Sequence, residues 1–161
     1  MIHNASILNN CFMKKTYIYL RALIIFLFLI LNAQAQQTSY LEEGIGLFKK
    51  KEFDKSKILF EKNIVFNPKS EESYLYLAKI FDLNSDEEQQ EVNLNNVLLI
   101  NPLNDEAIYM LTVLKIEQSD YSQAKELIKK FTLVCKSFCS KKKAIQEKFE
   151  KLTPKNAKNN N

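Results

Sequence analysis

Residues 71–104 read EESYLYLAKIFDLNSDEEQQEVNLNNVLLINPLN, and the pattern of apolar residues in this stretch indicates the fold. In both halves the apolar side chains follow i, i+3, i+4 spacing: Tyr74, Leu77, Ala78 and Phe81, then Leu94, Val97 and Leu98. Such spacing predicts two amphipathic helices, each with one buried face. The second helix ends at Asn101-Pro102, because proline cannot continue a helix and disfavours the helical conformation in the residue before it.

This stretch is one copy of a repeat. Another Asn-Pro pair stands at Asn67-Pro68, which is 34 residues earlier. Further positions recur at the same interval: Tyr40, Tyr74 and Ile108 open the first helix, Gly44, Ala78 and Thr112 are small residues within it, Phe53, Glu87 and Tyr121 open the second helix, Phe60, Leu94 and Ile128 lie on its core face, and Phe66, Ile100 and Val134 close it. The sequence therefore predicts three contiguous repeats at 37–70, 71–104 and 105–138.

A helix-turn-helix unit of this length resembles the tetratricopeptide repeat (TPR). The resemblance implies an all-α fold, an α-solenoid of three TPR helix-turn-helix units, in a domain over residues 37–152. The sequence departs from the family pattern where Ser56 and Gln90 replace alanine and where Lys136 replaces the third proline. These departures affect the packing of individual repeats and leave the predicted fold unchanged.

Residues 140–152 predict a C-terminal capping helix, because a solenoid needs a polar-faced cap over its last unit. Ile145, Phe149 and Leu152 would form the single apolar stripe of this helix. Residues 153–161 are polar and low in complexity, so we expect a disordered tail there.

The first 35 residues predict a signal peptide. Its features are the basic residues Lys14, Lys15 and Arg21, an unbroken apolar run at 22–31, and a small-x-small cleavage site at Ala33-Gln34-Ala35. Met13 begins a more typical signal sequence than Met1, so residues 1–12 are a candidate mis-called start. The run is too short to span a bilayer. We expect an exported protein, periplasmic or secreted, that meets the membrane only during export; an uncleaved N-terminal anchor is the alternative.

The composition after residue 35 argues against catalysis. His3 is the only histidine of the chain, so the predicted mature protein has no imidazole for acid–base chemistry or for a zinc site. Gly44 and Gly46 fall within a predicted helix, so no phosphate-binding loop is predicted. Lysines and acidic residues nearly balance, which gives no field to attract nucleic acid. We expect no catalytic residue, no metal and no cofactor.

Cys135 and Cys139 are the only cysteines after residue 35. Export to an oxidising compartment permits a disulfide between them, across the turn that leads into the capping helix. The alternative is two reduced thiols. A redox-active role is not expected, because the spacing is C-x-x-x-C rather than C-x-x-C.

In the TPR family, the first helices of successive units line a concave surface that binds proteins or peptides. The resemblance carries this groove over to Leu41, Ile45, Phe48, Leu75, Tyr76, Lys79, Tyr109, Met110, Val113 and Ile116. Some family members hold a C-terminal carboxylate with basic groove residues; the matching positions here are Leu41, Ile45, Tyr76, Glu106 and Met110, so that clamp is absent. Several of the groove residues could instead belong to the core between helices.

We therefore expect a non-catalytic interaction module in the cell envelope. Its apolar groove would bind an unidentified protein or peptide. The alternative is a structural subunit of an envelope assembly or a homo-oligomer, without a free groove. The residues from Lys136 onward are rich in lysine, and the run at 141–143 could touch anionic lipid. We expect this run to be a solvated face of the capping helix.

Overall fold

The computed structural model describes residues 19–27 and 40–154, and all regular structure in these ranges is helical. We number the helices from residue 40: α1 is described over residues 40–49, and it is followed by α2 (Phe53–Phe66), α3 (Glu71–Leu83), α4 (Glu87–Ile100), α5 (Asp105–Glu117), α6 (Tyr121–Val134) and α7 (Lys142–Leu152). The predicted all-α solenoid of three helix-turn-helix units with a C-terminal helix is confirmed.

The described residues divide into two units at Tyr40. In the first unit, residues 19–27 form a helix with exposed side chains. Within the described ranges, no helix is long and apolar enough to cross a membrane. The rest of the predicted signal peptide, with its cleavage site, lies outside the described residues, and so do residues 155–161 of the predicted tail.

The turn inside each helix pair is closed in the same way. Lys51, Ser85 and Ser119 have positive φ angles of 63°, 56° and 62°. The next residue in each turn donates its N–H to a carbonyl at the end of the first helix: Glu52 to Leu47, Asp86 to Phe81, and Asp120 to Lys115. A residue in the left-handed conformation followed by this hydrogen bond is the Schellman motif, a local way of ending a helix. The first helix of each pair therefore ends with the same motif, although none of the three residues is a glycine.

Small residues let the paired helices approach closely. Gly44, Ala78 and Thr112 are all buried. The approach is tightest at Gly44, where a Cβ atom would lie 2.8 Å from Cε1 of Phe60. The carbonyl of Gly44 also accepts a hydrogen bond from Ser56 Oγ at 2.8 Å. The serine that replaces alanine in the first repeat is therefore satisfied within the core.

The core of the second unit consists of three apolar clusters. Their buried members are Phe60, Leu77, Ile80 and Phe81; then Leu75, Ala78, Leu94, Val97, Ala107, Leu111 and Leu114; then Ile108, Ile116, Ala124, Phe131 and Ile145. These residues, and the half-buried ones packed on them, all lie between Leu41 and Phe149. This unit therefore has an apolar core of its own.

The first repeat buries a polar cluster where the other repeats bury apolar side chains. Asn63 occupies the position of Val97 and Phe131. Its Nδ2 donates to Ser70 Oγ at 2.9 Å and to Ser73 Oγ at 2.8 Å. Its Oδ1 is buried and has no hydrogen-bond partner among the described residues. This repeat therefore stabilises its core less efficiently than the next two.

The capping helix begins two residues later than predicted, and the folded unit extends one residue beyond its end. Residues expected to begin it at 140 form a 3₁₀ turn, Cys139–Lys141, before α7. At the other end, Thr153 is buried and its Oγ1 donates to the carbonyl of Phe149 at 2.6 Å. Thr153, expected to start the tail, therefore belongs to the folded unit. Ile145 joins α7 to the third cluster, so α7 covers the last helix pair.

Candidate functional site

The first helices of the three pairs, α1, α3 and α5, form the surface that we call the groove. Phe48 of α1 contacts Tyr76 of α3 edge to face, with ring centroids 5.0 Å apart. Lys79 of α3 pairs with Glu106 of α5 at an Nζ–Oε1 distance of 2.8 Å. These contacts join the three helices side by side.

Tyr76 lies at the centre of the groove. Its ring stacks on the buried ring of Phe60, with centroids 5.0 Å apart and an interplanar angle of 11°. Burial raises the pKa of the Tyr76 hydroxyl, and the negative charges of Glu72 and Glu106 raise it further. The carboxylates of Glu72 and Glu106 are therefore close enough to Tyr76 to disfavour ionisation of its hydroxyl.

The positive charge closest to this centre is already engaged. The Nζ atom of Lys79 lies 4.9 Å from the ring centroid of Tyr76 and is ion-paired with Glu106. Glu72, one turn before Tyr76, is exposed. Lys49, near the end of α1, is also exposed, so the groove carries both signs, with carboxylates at its centre.

The predicted groove residues do not all reach the surface. Those that are half-buried, and so keep part of the side chain accessible, are Leu41, Ile45, Phe48, Tyr76, Lys79, Tyr109, Met110 and Val113. Leu75 and Ile116 are only 8% and 1% exposed and belong to the core instead. Leu75 packs in the cluster that contains Leu94, and Ile116 in the one that contains Ile145 of α7. The helices beside them cover both side chains.

Cys135 and Cys139 form a disulfide in the structure, with the Cα atoms 5.2 Å apart. The bond closes a short loop between α6 and α7. Phe138 of this loop contacts Tyr109 of α5, with ring centroids 5.9 Å apart. Tyr109 also contacts the buried Phe131 at 5.9 Å. The disulfide loop therefore supports the end of the groove next to α7, and Tyr109 is partly a core residue.

The same loop binds a carboxylate that the sequence analysis missed. Asp105 Oδ2 accepts hydrogen bonds from the N–H groups of Lys136, Ser137 and Phe138 at 2.6, 2.6 and 2.9 Å. Burial opposes ionisation, but these backbone hydrogen bonds outweigh it and hold the pKa of Asp105 below its usual value. Glu71 occupies the same repeat position and accepts hydrogen bonds from Asn101 and Asn104. The 34-residue register pairs Glu71 with Asp105, but it equally pairs Glu72 with Glu106, so it does not single out this site.

Within residues 19–27 and 40–154, no group of histidine, cysteine, aspartate or glutamate side chains could hold a metal ion. The polar contacts of the groove are ion pairs and hydrogen bonds between side chains that also join helices. This arrangement is suited to contact with a partner's surface.

No protein-family profile and no curated relative matches the sequence. Solved structures do match the fold. The TPR domain of OM64 from Arabidopsis has a TM-score of 0.63 at 18% identity and covers 74% of this chain and 96% of its own. The second TPR domain of human RPAP3, solved with the HSP70 peptide SGPTIEEVD, has a TM-score of 0.63 at 15% identity and covers 76% and 99%.

A bacterial structure matches as well. PilF of Pseudomonas aeruginosa has a TM-score of 0.59 at 14% identity, covering 75% of this chain and 54% of its own. Identities this low establish the fold alone. The chain therefore has the fold of a tetratricopeptide-repeat domain, as the register of its repeats predicted.

Proposed function

We propose that this chain is a non-catalytic adaptor of the cell envelope, and that its groove binds a protein segment carrying both apolar and basic side chains. The observation that carries the proposal is the centre of the groove, where a half-buried Tyr76 is flanked by carboxylates. Apolar surface gives affinity to such a site, and complementary charge selects the partner.

The charge of the groove distinguishes this proposal from binding of an acidic C-terminus. The peptide bound by the RPAP3 domain, SGPTIEEVD, is acidic. Here the carboxylates of Glu72 and Glu106 lie near Tyr76, and the nearby Lys79 is ion-paired with Glu106. An acidic segment would meet like charge at this point, whereas a lysine or arginine side chain would reach Glu72.

The location of the protein is part of the proposal. A basic region, an apolar run and a small-x-small site, in this order, are features of a cleavable signal peptide. Cys135 and Cys139 are close enough to form a disulfide, which an oxidising compartment would maintain. Determining the N-terminus of the protein isolated from cells tests the location: we expect it at Gln36, and a protein that retains residues 1–35 would contradict cleavage.

The experiment for the groove is a selection from a random peptide library against residues 36–161. We expect enriched peptides with lysine or arginine beside leucine or aromatic residues. Glu72→Lys should weaken their binding about tenfold, because it turns attraction into repulsion at one partly desolvated site. Glu126→Lys is the matched control, since Glu126 is an exposed glutamate of α6, outside the groove. No enrichment, or an equal loss in both variants, would contradict the proposal.

A further inference from the structure

Three apolar side chains at one position of the repeat are almost fully exposed. Val65, Leu99 and Leu133 stand 34 residues apart, in the last turn of α2, α4 and α6. They are 76%, 82% and 85% exposed. Leu103, in the segment after α4, is exposed as well. Scattered apolar residues are common on protein surfaces, but a row that recurs with the repeat places them side by side.

Hydrogen bonds show that these residues share one edge of the solenoid. Glu71, at the start of α3, binds Asn101 and Asn104 of the segment that follows α4. Asp105, at the start of α5, binds the backbone of residues 136–138 after α6 in the same way. We call this edge the carboxyl edge: the last turns of α2, α4 and α6 with residues 67–70, 101–104 and 135–141.

The carboxyl edge is basic at its α6–α7 end. The exposed lysines there are Lys136 and Lys141, with Lys129 and Lys143 beside them. Lys143 is also ion-paired with the exposed Glu147, at 3.7 Å. At the α2 end, Lys69 is accompanied by the exposed carboxylates of Glu61 and Glu72. The carboxylates of Glu71 and Asp105 are occupied by the hydrogen bonds described above. Around Leu99, the sequence carries no charge from Val92 to Asn104.

We propose that the carboxyl edge docks on an anionic lipid bilayer, with Val65, Leu99 and Leu133 entering the headgroup layer and the lysines contacting lipid phosphates. Apolar side chains rimmed by lysine are the features that hold proteins at a membrane surface. This contact is separate from the groove and extends beyond the transient contact expected during export.

The test uses residues 36–161, the predicted mature protein. They contain all three apolar clusters and lack the apolar run at 22–31. Flotation with vesicles of phosphatidylglycerol and phosphatidylcholine measures the bound fraction. We expect binding that falls with salt and is lost on pure phosphatidylcholine. The double variant Leu99→Gln/Leu133→Gln should bind about tenfold more weakly, because two leucines no longer enter the apolar layer. Lys141→Gln/Lys143→Gln should lower binding by roughly fivefold per lysine.

Leu83→Gln is the matched control. Leu83 is 56% exposed, but it lies at the end of α3, at the opposite edge. Its substitution should leave vesicle binding unchanged. Three results would overturn the proposal: no binding at low salt, wild-type binding by the Leu99→Gln/Leu133→Gln variant, or an equal loss in Leu83→Gln. Light scattering provides a fourth: a dimer without vesicles that Leu99→Gln/Leu133→Gln dissociates would make this edge an interface between copies.

Discussion

The close approach of α1 and α2 can be measured with two alanine substitutions in one helix. Gly44 and Gly46 both lie in α1 without positive φ, so alanine should improve the helix propensity equally, by about 1 kcal/mol. Their surroundings differ. A Cβ atom at Gly46 would meet nothing within 4 Å, whereas one at Gly44 would lie 2.8, 3.1 and 3.2 Å from three ring carbons of Phe60.

The ring of Phe60 has little room to move away. It is fully buried and stacks on Tyr76, which in turn contacts Phe48. Adding a methyl group to such a core costs about 1–3 kcal/mol. We therefore expect Gly46→Ala to raise the free energy of unfolding by about 0.5–1 kcal/mol, and Gly44→Ala to lie about 1–3 kcal/mol below it.

The assay is urea unfolding of residues 36–161, followed by circular dichroism, for the wild type and both variants. The two substitutions share their effect on helix propensity and on the unfolded chain, so the difference between them isolates the contact with Phe60. Equal stabilisation by Gly44→Ala and Gly46→Ala would refute the close packing of α1 against α2.

Three further predictions concern stability. Replacing the whole buried polar cluster, with Asn63→Val, Ser70→Ala and Ser73→Ala together, should leave stability unchanged or raise it, because no buried polar group is left without a partner. Asn63→Val alone should cost about 1–3 kcal/mol, because the Ser70 and Ser73 hydroxyls lose their shared partner. Urea unfolding of the single and triple variants measures both. Folding lowers the pKa of Asp105, so the stabilisation by its carboxylate is present above the pKa in the unfolded chain and disappears as pH falls through the pKa in the folded protein. In the Asp105→Asn variant, the free energy of unfolding should therefore fall less steeply with decreasing pH below about pH 4. The same steepness in variant and wild type would contradict this role. Reducing the disulfide should cost about 2 kcal/mol at most, because the loop is short, and hydrogen exchange should show the loss in residues 135–152 rather than in α1–α4; free thiols in the protein as isolated would contradict the bond.

The repeat register could be predicted from the sequence because each unit carries the same local pattern three times. Amphipathic spacing, small residues such as Ala78, and the Asn-Pro pairs are all local features, and they placed the helices within a few residues. The positive φ at Lys51, Ser85 and Ser119 could not be read this way. None of these residues is a glycine, which is the residue that usually marks a helix ending in the left-handed conformation.

The candidate site was less predictable, because exposure depends on neighbours that are distant in sequence. Leu75 and Ile116 have the spacing of groove residues, yet α4 and α7 respectively contribute to the clusters that bury them. Leu99 and Leu133 show the opposite case: they are apolar and were not singled out, but the structure leaves them exposed. The carboxylate of Asp105 acts on residues 31–33 positions away, which no local pattern reveals.

Site-specific photo-crosslinking can show directly whether a partner binds in the groove. A photoreactive residue is placed at position 72, in the groove, or at position 95, on the outer face of α4; Glu72 and Asn95 are both exposed. Each protein is irradiated with the selected basic peptide. We predict an adduct from position 72 and none from position 95. An adduct from position 95 with none from position 72 would place the binding surface on the second helices of the pairs, and it would contradict binding in the groove.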